Sequence, residues 1–201
     1  MKKQLYAAYG SNLNIRQMKH RCPGARLYGT GVIKNFELQF KGKPHSAFAT
    51  IAPKDGASVP VAVWEISKRN EQALDRYEGY PSHYFKQDVP VQLDGKEVTA
   101  MVYVMNLKMN FGLPSPYYYD IVLKGYEDCG LNPAALEQAL RESTAQFYGS
   151  HWPHQESIFR FESDAEPDED ELEEDDDPDL DEDEPELDET DPFYFSEGMH
   201  L

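Results

Sequence analysis

The residues best suited to chemistry near the start of the chain are Tyr9-Gly10-Ser11-Asn12, which directly follow a short apolar run, Leu5 to Ala8. An apolar strand followed by a glycine turn is typical of a strand-to-helix connection, and Ser11 or Asn12 is predicted to cap a helix beginning at residue 13. Such a turn leaves backbone N–H groups free to bind a carboxylate or a developing oxyanion. Gly10 would let a ligand approach the backbone closely. The alternative is a plain connection without chemistry, which is common.

A second candidate is Glu78, which lies where a short amphipathic helix is predicted to stop. Gly79 favours a helix end, and the proline two residues later cannot continue the helix. Aromatic neighbours are expected from Tyr77, Tyr80 and the strand that bears Trp64. They would remove water from the carboxylate, raise its pKa and make it a proton acceptor near neutral pH. The alternative is an ordinary surface glutamate at the end of a helix.

Other groups that could carry chemistry are less well placed in the sequence. His151 and His154 have no carboxylate or cysteine at ligand spacing, so a loop is favoured over a metal site. Ser11 has no nearby His with Asp to activate it, so a capping role is favoured over a nucleophile. Gly29-Thr30-Gly31 is not followed by a dinucleotide-binding fingerprint. The sequence therefore predicts neither a metal nor a cofactor.

The elements that position these groups follow from hydrophobic periodicity. Strands are predicted at 32–40, 47–52, 59–66, 89–93 and 97–105, and Asp94-Gly95 is predicted to form the hairpin turn between the last two. Helices are predicted from a Ser67 cap to Tyr77, from Tyr117 to Cys129, and after Asn132-Pro133. The last of these has an apolar face formed by Leu136, Ala139, Leu140 and Phe147. Strands outnumber helices and do not alternate with them, which favours an α+β fold with a curled sheet or barrel and helices outside it.

Charge divides the chain into two parts. Residues 1–161 carry a net charge of +4, whereas residues 162–201 contain 22 acidic residues, no Lys or Arg, and a net charge of −22. We therefore predict one folded domain over 1–161 and an acidic, disordered tail over 162–201. The tail ends in the aromatic cluster Asp191-Pro192-Phe193-Tyr194-Phe195, which could dock on a partner or back onto the body, although a solubilising extension is the simpler reading.

The cysteine content and the apolar runs bear on the cellular compartment. Cys22 and Cys129 are too few for a disulfide framework and are interpreted as buried thiols. The first residues contain no apolar signal region, and no stretch is long enough for a membrane span. A cytoplasmic protein is therefore expected.

Three segments together resemble the γ-glutamylcyclotransferase family, including its AIG2-like members. These are Leu5 to Leu13 (Leu-Tyr-Ala-Ala-Tyr-Gly-Ser-Asn-Leu), Leu74 to Tyr80 (Leu-Asp-Arg-Tyr-Glu-Gly-Tyr) and Pro114-Ser115-Pro116-Tyr117-Tyr118. The resemblance extends from about residue 5 to 147, in the family's order and spacing, and does not include the tail. It implies a mixed β-barrel with surrounding helices, in agreement with the α+β prediction.

The resemblance also implies a reaction and its residues. Family members cleave γ-glutamyl compounds when the α-amino group of the substrate attacks its own γ-carbonyl, which releases 5-oxoproline and an amine or amino acid. Glu78 matches the catalytic glutamate, and the resemblance assigns substrate binding to Tyr6, Ala7, Ala8, Tyr9, Gly10, Ser11, Asn12 and Tyr118. Tyr118 could equally be a core tyrosine.

Two function classes follow from the sequence. The first is a cyclotransferase enzyme, and the second is a non-catalytic module that keeps the γ-glutamyl pocket and recruits a partner through its acidic tail. Glu78 favours the enzyme, because a pure binder needs no proton acceptor in the pocket. The expected partner is a small γ-glutamyl substrate; neither nucleic acid nor a membrane is expected, and a protein partner for the tail is possible.

Overall fold

The computed structural model describes residues 3–106 and 108–151, with only the backbone described for Ser150 and His151. The elements in chain order are β1 (Lys3–Ala8), a 3-10 helix (Ser11–Leu13), α1 (Ile15–Arg21), β2 (Arg26–Lys43), β3 (Ser46–Ser67), α2 (Lys68–Glu78), β4 (Tyr84–Leu93), β5 (Lys96–Met105), α3 (Pro116–Asp128) and α4 (Ala134–His151). The tail, the predicted domain boundary at 161 and most of the His151–His154 segment lie outside the described residues.

The five strands form a closed barrel in the order β1-β3-β2-β4-β5. The β1–β3, β2–β3, β2–β4 and β4–β5 pairs are antiparallel, whereas β1 meets β5 in parallel where Tyr6 pairs with Met101. The β1, β3 and β5 strands supply long buried apolar runs, as is expected of strands that are covered on both faces. The predicted α+β fold with a mixed barrel and surrounding helices is therefore confirmed.

The two strands predicted at 47–52 and 59–66 are in fact one strand, β3, and this prediction was wrong. Polar residues and a glycine between them indicated a break. The structure instead keeps the pairing with β2 through a register shift between Lys34 and Phe36. Asn35 adopts φ 59° there, and its side-chain oxygen accepts a hydrogen bond from the backbone N–H of Gly56 at 3.1 Å. Residues 54–57 form a bulge without register partners in β2, and this side-chain contact joins the bulge to β2 between the two paired stretches of β3.

The Gly29-Thr30-Gly31 segment lies in β2, where the barrel closes against β4. A Cβ atom at Gly31 would lie 2.2 Å from the Gln92 carbonyl oxygen, and one at Gly29 would lie 2.9 Å from a methyl group of Leu93. Close contact between two strands therefore accounts for both glycines.

Local turn and cap chemistry agrees with several predictions. Asp94 and Gly95 have φ of 44° and 78° and form the predicted hairpin turn between β4 and β5. Ser67 caps α2 in a capping box with Asn70, and Gly79 ends α2 with φ 64°. The predicted third and fourth helices correspond to α3 and α4.

Helix α3 packs directly on the end of the 3-10 helix. A Cβ atom at Gly125 would lie 2.5 Å from Leu13 Cβ and 2.6 Å from the Asn14 nitrogen. The two backbones therefore approach closely at Gly125, and Tyr118 in the first turn of the same helix contacts Ala49 of β3 and lies beside Gly10. Among the described residues, no helix is long and apolar enough to cross a membrane.

Candidate active site

The 3-10 helix places the Tyr9–Asn12 turn at the mouth of a pocket. The pocket is lined by Tyr6, Tyr9, Gly10, Ser11, Asn12, Ala49, Glu78, Tyr84, Tyr103 and Tyr118. The first N–H groups of a helix have no partner inside the helix, so those of Ser11 and Asn12 are available to a ligand. A Cβ atom at Gly10 would lie 3.2 Å from the Tyr118 hydroxyl oxygen and 3.4 Å from Ala49 Cβ, so a side chain there would crowd the pocket wall.

The prediction that Ser11 or Asn12 caps the following helix was wrong. Asn14 caps α1 instead, and its side-chain oxygen accepts a hydrogen bond from the Gln17 N–H at 3.0 Å. The intervening 3-10 turn moves the start of the helix from the predicted residue 13 to Ile15. The amide group of Asn12 is therefore free to make tertiary contacts, and it makes the contacts on which the site depends.

Asn12 joins the turn to Glu78. Its side-chain NH2 group donates to Glu78 Oε1 at 2.9 Å and to the Tyr6 hydroxyl at 2.9 Å, while its oxygen accepts from Arg21 Nη1 at 2.7 Å. The two motifs lie more than sixty residues apart in the sequence, and this contact brings them together in the pocket as the family resemblance implied.

Glu78 is the last residue of α2, and its side chain faces the pocket. Burial raises the pKa of Glu78 to about 7, against the opposing effects of the Arg21 charge and the Asn12 hydrogen bond. A carboxyl group with this pKa is close to half ionised at neutral pH, so it can both accept and return a proton.

The aromatic groups around Glu78 differ from those expected. Tyr80 is 43% exposed and its ring faces the Lys86 ammonium group, and Trp64 is buried but does not line the pocket. Tyr77 contacts the turn rather than the pocket, since its hydroxyl lies 3.3 Å from Ser11 Oγ. Tyrosines from four other elements lie around the carboxylate instead, and sequence neighbours of Glu78 could not indicate them.

Three of the five pocket tyrosines make hydrogen bonds to the backbone. Tyr9 donates to the Tyr103 carbonyl at 2.6 Å, Tyr84 donates to the Ala49 carbonyl at 3.1 Å, and the Tyr118 hydroxyl accepts from the Ala49 N–H at 3.2 Å. Burial, together with the charge of the nearby carboxylate, raises the pKa of each of these hydroxyl groups. All of them therefore stay protonated at neutral pH and act as neutral polar groups.

The structure brings the predicted site residues together with two exceptions. Ala7 and Ala8 are buried in β1, where they pair with Val63 and Ala62, and they do not line the pocket. Four residues at or beside the site were not predicted from the sequence: Arg21, Ala49, Tyr84 and Tyr103. Hydrophobic periodicity gives no signal for these residues, because Ala49, Tyr84 and Tyr103 reach the pocket from different strands, whereas Arg21, at the end of α1, contacts the turn and not the pocket.

No metal-binding cluster is evident in the part of the chain that the structure describes. There, no group of three or more His, Cys, Asp or Glu side chains is arranged to hold a metal ion. Cys22 is buried and Cys129 is only partly buried, and both are free thiols. Burial raises the pKa of each thiol to about 11, so neither is an activated nucleophile.

Comparisons with known proteins agree with this geometry. Residues 6–120 match the family model "Gamma-glutamyl cyclotransferase, AIG2-like". The human protein named γ-glutamylcyclotransferase is 34% identical over 146 residues, which cover 68% of this chain and 77% of the human protein. The bovine protein of the same name is 34% identical over 139 residues, covering 63% and 72% of the two chains.

A solved structure described as a γ-glutamyl cyclotransferase supports the same conclusion. It superposes with a TM-score of 0.63 at 33% identity and covers 70% of this chain and 87% of its own. Sequence motifs, family model and fold are therefore consistent, and this chain belongs to the AIG2-like γ-glutamyl cyclotransferase family.

Proposed function

We propose that the protein is a γ-glutamylcyclotransferase, which converts a γ-glutamyl compound into 5-oxoproline and a free amine or amino acid. The main support for this activity is the Glu78 carboxylate. Its pKa is about 7, and it accepts a hydrogen bond from Asn12 in the Tyr9–Asn12 turn. A proton acceptor and a set of free N–H groups thus share one small pocket. Membership of the family supports the same activity.

The first step is the transfer of a proton from the α-ammonium group of the substrate to Glu78. An α-amino group has a pKa of about 8, so transfer to a carboxylate of pKa about 7 costs about 1.4 kcal/mol. An unperturbed glutamate would make the same transfer cost about 5 kcal/mol. The buried position of Glu78 therefore removes most of this part of the barrier.

The neutral amine then attacks the γ-carbonyl carbon within the same molecule. The new C–N bond closes a five-membered ring, and the carbonyl oxygen becomes an oxyanion. We place this oxyanion at the N–H groups of the Tyr9–Asn12 turn, where each preorganised donor is worth about 3 kcal/mol. Glu78 returns its proton to the nitrogen of the leaving group, and the carboxylate then takes the second proton from the ring nitrogen, which became positively charged on attack. Collapse of the intermediate breaks the original γ-amide C–N bond and releases 5-oxoproline and the amine, and Glu78 passes its second proton to the amine or to solvent.

The pocket walls hold the substrate in the folded conformation that cyclisation requires. We assign this positioning to Tyr6, the turn and the Tyr118 hydroxyl, with the backbone of Ala7 and Ala8 supporting the turn from β1. Intramolecular attack needs little beyond the correct geometry and proton movement, which suits a small and rigid pocket without a cofactor.

The decisive experiment measures 5-oxoproline release from γ-glutamyl amino acids, γ-glutamyl-ε-lysine and glutathione. Wild type is compared with Glu78→Gln and with the matched control Glu127→Gln, which alters an exposed glutamate on α3. Release that is lost only in Glu78→Gln is the expected result. If the folded wild type binds a compound of this panel but releases no product, the proposal fails in favour of the non-catalytic binding module.

We further propose a cytoplasmic location, which the two free thiols support. Fractionation of cells that express the protein tests it, and recovery from a secreted or membrane fraction would contradict it.

We also propose that residues 1–161 form the catalytic domain and that the acidic segment 162–201 contacts a protein partner. The supports are the charge of −22 and the aromatic cluster between Asp191 and Phe195. A chain truncated after residue 161 should keep its activity and lose the association. If truncation changes neither activity nor association in a pull-down, the role of this segment is refuted.

A further inference from the structure

We infer that Arg21 is a positioning residue for this reaction: by fixing the amide of Asn12, it determines which oxygen of Glu78 exchanges the proton with the substrate. The inference rests on the proposed role of Glu78 as the proton acceptor. Arg21 lies at the end of α1 and does not line the pocket, so it acts only through its neighbours.

The Arg21 guanidinium is held on several sides. Its Nη1 donates to Asn12 Oδ1 at 2.7 Å and to Ser11 Oγ at 3.0 Å. Its Nη2 donates to the Tyr77 hydroxyl at 2.6 Å and to the side-chain oxygen of Gln17. The guanidinium carbon also lies 3.6 Å from the centre of the Tyr77 ring. One planar cation therefore ties the end of α1 to the turn and to the residue that precedes Glu78.

These contacts determine the orientation of the Asn12 amide. A guanidinium group has donors and no acceptor, so the amide must turn its oxygen toward Arg21. The NH2 group then faces the pocket, and its two hydrogens go to the Tyr6 hydroxyl and to Glu78 Oε1. Without Arg21, the amide loses the contact that distinguishes its two ends.

The orientation of the amide in turn distinguishes the two carboxylate oxygens. Oε1 of Glu78 accepts the Asn12 hydrogen bond, and a carbonyl-type oxygen is a better acceptor than a hydroxyl oxygen. When the carboxyl group is protonated, the proton therefore resides on Oε2. Proton transfer thus starts and ends at a defined atom, which matters because misplacement of about 1 Å can cost about 100-fold in rate.

The charge of Arg21 has a second, separable effect. Burial raises the pKa of Glu78, and the positive charge of Arg21 is the leading influence in the opposite direction. The result is a group that titrates near neutral pH and is substantially ionised when the substrate arrives. Without the Arg21 charge, less would oppose the effect of burial on Glu78, and the pKa of Glu78 should rise further.

Charge and geometry can be separated with two substitutions. Arg21→Gln removes both the charge and the fork of donors. Arg21→Lys keeps the charge, but one ammonium group cannot reproduce the planar fork that joins Asn12, Ser11 and Tyr77. Lys19→Gln is the matched control, because it removes one positive charge from an exposed position on the same helix.

The experiment records kcat and kcat/KM for 5-oxoproline release against pH, together with the melting temperature. The pKa of Glu78 is measured by carboxyl 13C NMR on the free protein, with Glu78→Gln to assign the signal. We expect Arg21→Gln to move the acid limb of the kcat/KM profile to higher pH and to raise the pKa of Glu78 measured by NMR. We also expect it to lower kcat at least tenfold. Arg21→Lys should restore the pKa but not kcat, and Lys19→Gln should match wild type.

Two results would overturn the inference. The first is an Arg21→Gln variant with the wild-type pH profile and wild-type kcat. The second is a variant with a lower melting temperature whose kcat per folded molecule and NMR pKa are unchanged, since that is a purely structural effect. If wild type releases no 5-oxoproline, the proposed function fails, while the NMR titration still decides whether Arg21 controls Glu78.

Discussion

The sharpest test of the site removes the contact between the turn and the carboxylate. Asn12→Ala deletes the hydrogen bond of 2.9 Å to Glu78 Oε1, and the side chain it truncates is 3% exposed. A hydrogen bond to a charged group contributes about 1.5–3 kcal/mol, which corresponds to about 1–2 pKa units. Because this bond stabilises the ionised form, its loss should raise the pKa of Glu78 from about 7 to between about 8 and 9.

The expected kinetic effect follows from the ionised fraction. At pH 7 that fraction should fall from about one half to between about one tenth and one hundredth, so kcat/KM should fall about 5- to 50-fold. The gap between variant and wild type should narrow as the pH approaches 9. The assay is 5-oxoproline release at half-unit intervals between about pH 5.5 and 9.5, in buffers of constant ionic strength.

Asn14→Ala is the matched control for this prediction. It removes a buried asparagine that lies two residues after Asn12 and caps α1. It should therefore lower the free energy of unfolding by about 1 kcal/mol and leave the acid limb of the kcat/KM profile unchanged. If Asn12→Ala keeps the wild-type acid limb, or if Asn14→Ala shifts it equally, then the hydrogen bond between the turn and Glu78 does not set the pKa.

Four further predictions concern the pocket and its support. The kcat/KM profile should be bell-shaped, with an acid limb near pH 7 from Glu78 and an alkaline limb near pH 8 from the substrate ammonium group; a pH-independent rate between 6 and 9 would contradict this. Burial holds the Glu78 pKa above its unfolded value, so the native state loses stability as the pH rises from about 4.5 to 7. Glu78→Gln should therefore stabilise the protein against urea at pH 8 by up to about 3 kcal/mol and much less at pH 5, whereas an equal gain at both pH values would exclude this origin. Tyr118→Phe removes the hydroxyl that accepts a hydrogen bond from the Ala49 N–H at 3.2 Å, so it should lower stability by about 1 kcal/mol and raise KM or lower kcat several-fold per folded molecule; full activity would leave Tyr118 as a core residue. Gly125→Ala places a methyl group 2.5 Å from Leu13 Cβ and should destabilise the fold by about 1–3 kcal/mol in urea unfolding, so a neutral result would mean that α3 can move away from the turn.

The local elements of this fold could be predicted from the sequence because their causes are local. Asp94-Gly95 adopts positive φ at both positions, which few residue pairs tolerate. Ser67 and Gly79 delimit α2 through hydrogen bonds and dihedral angles within one helical turn of their own positions. Glu78 was therefore placed correctly at a helix end, and the three motifs were sufficient to recognise the family.

Predictions from the sequence were wrong where a contact with a residue distant in the chain outweighed a local conformational preference. Ser and Asn after a glycine turn favour helix capping, but the 3-10 turn moved that role to Asn14 and released Asn12 for Glu78. Polar residues around Gly56 favour a break, but β3 passes through a bulge there and pairs with β2 on both sides of it. In each case the outcome depends on a partner whose distance in space cannot be read from its distance in sequence.

Sequence alone thus determined the family, the barrel class, most helix ends and the position of Glu78 at a helix end, because motif spacing and local backbone preferences can be read along the chain. The tertiary structure decided the chemistry of the site. Burial raises the pKa of Glu78 to about 7, barrel closure gathers tyrosines from separate elements around it, and Arg21 orients the amide that contacts it. These effects depend on desolvation and on distances of about 3 Å between residues far apart in sequence, which arise only when the barrel closes and the helices pack against it.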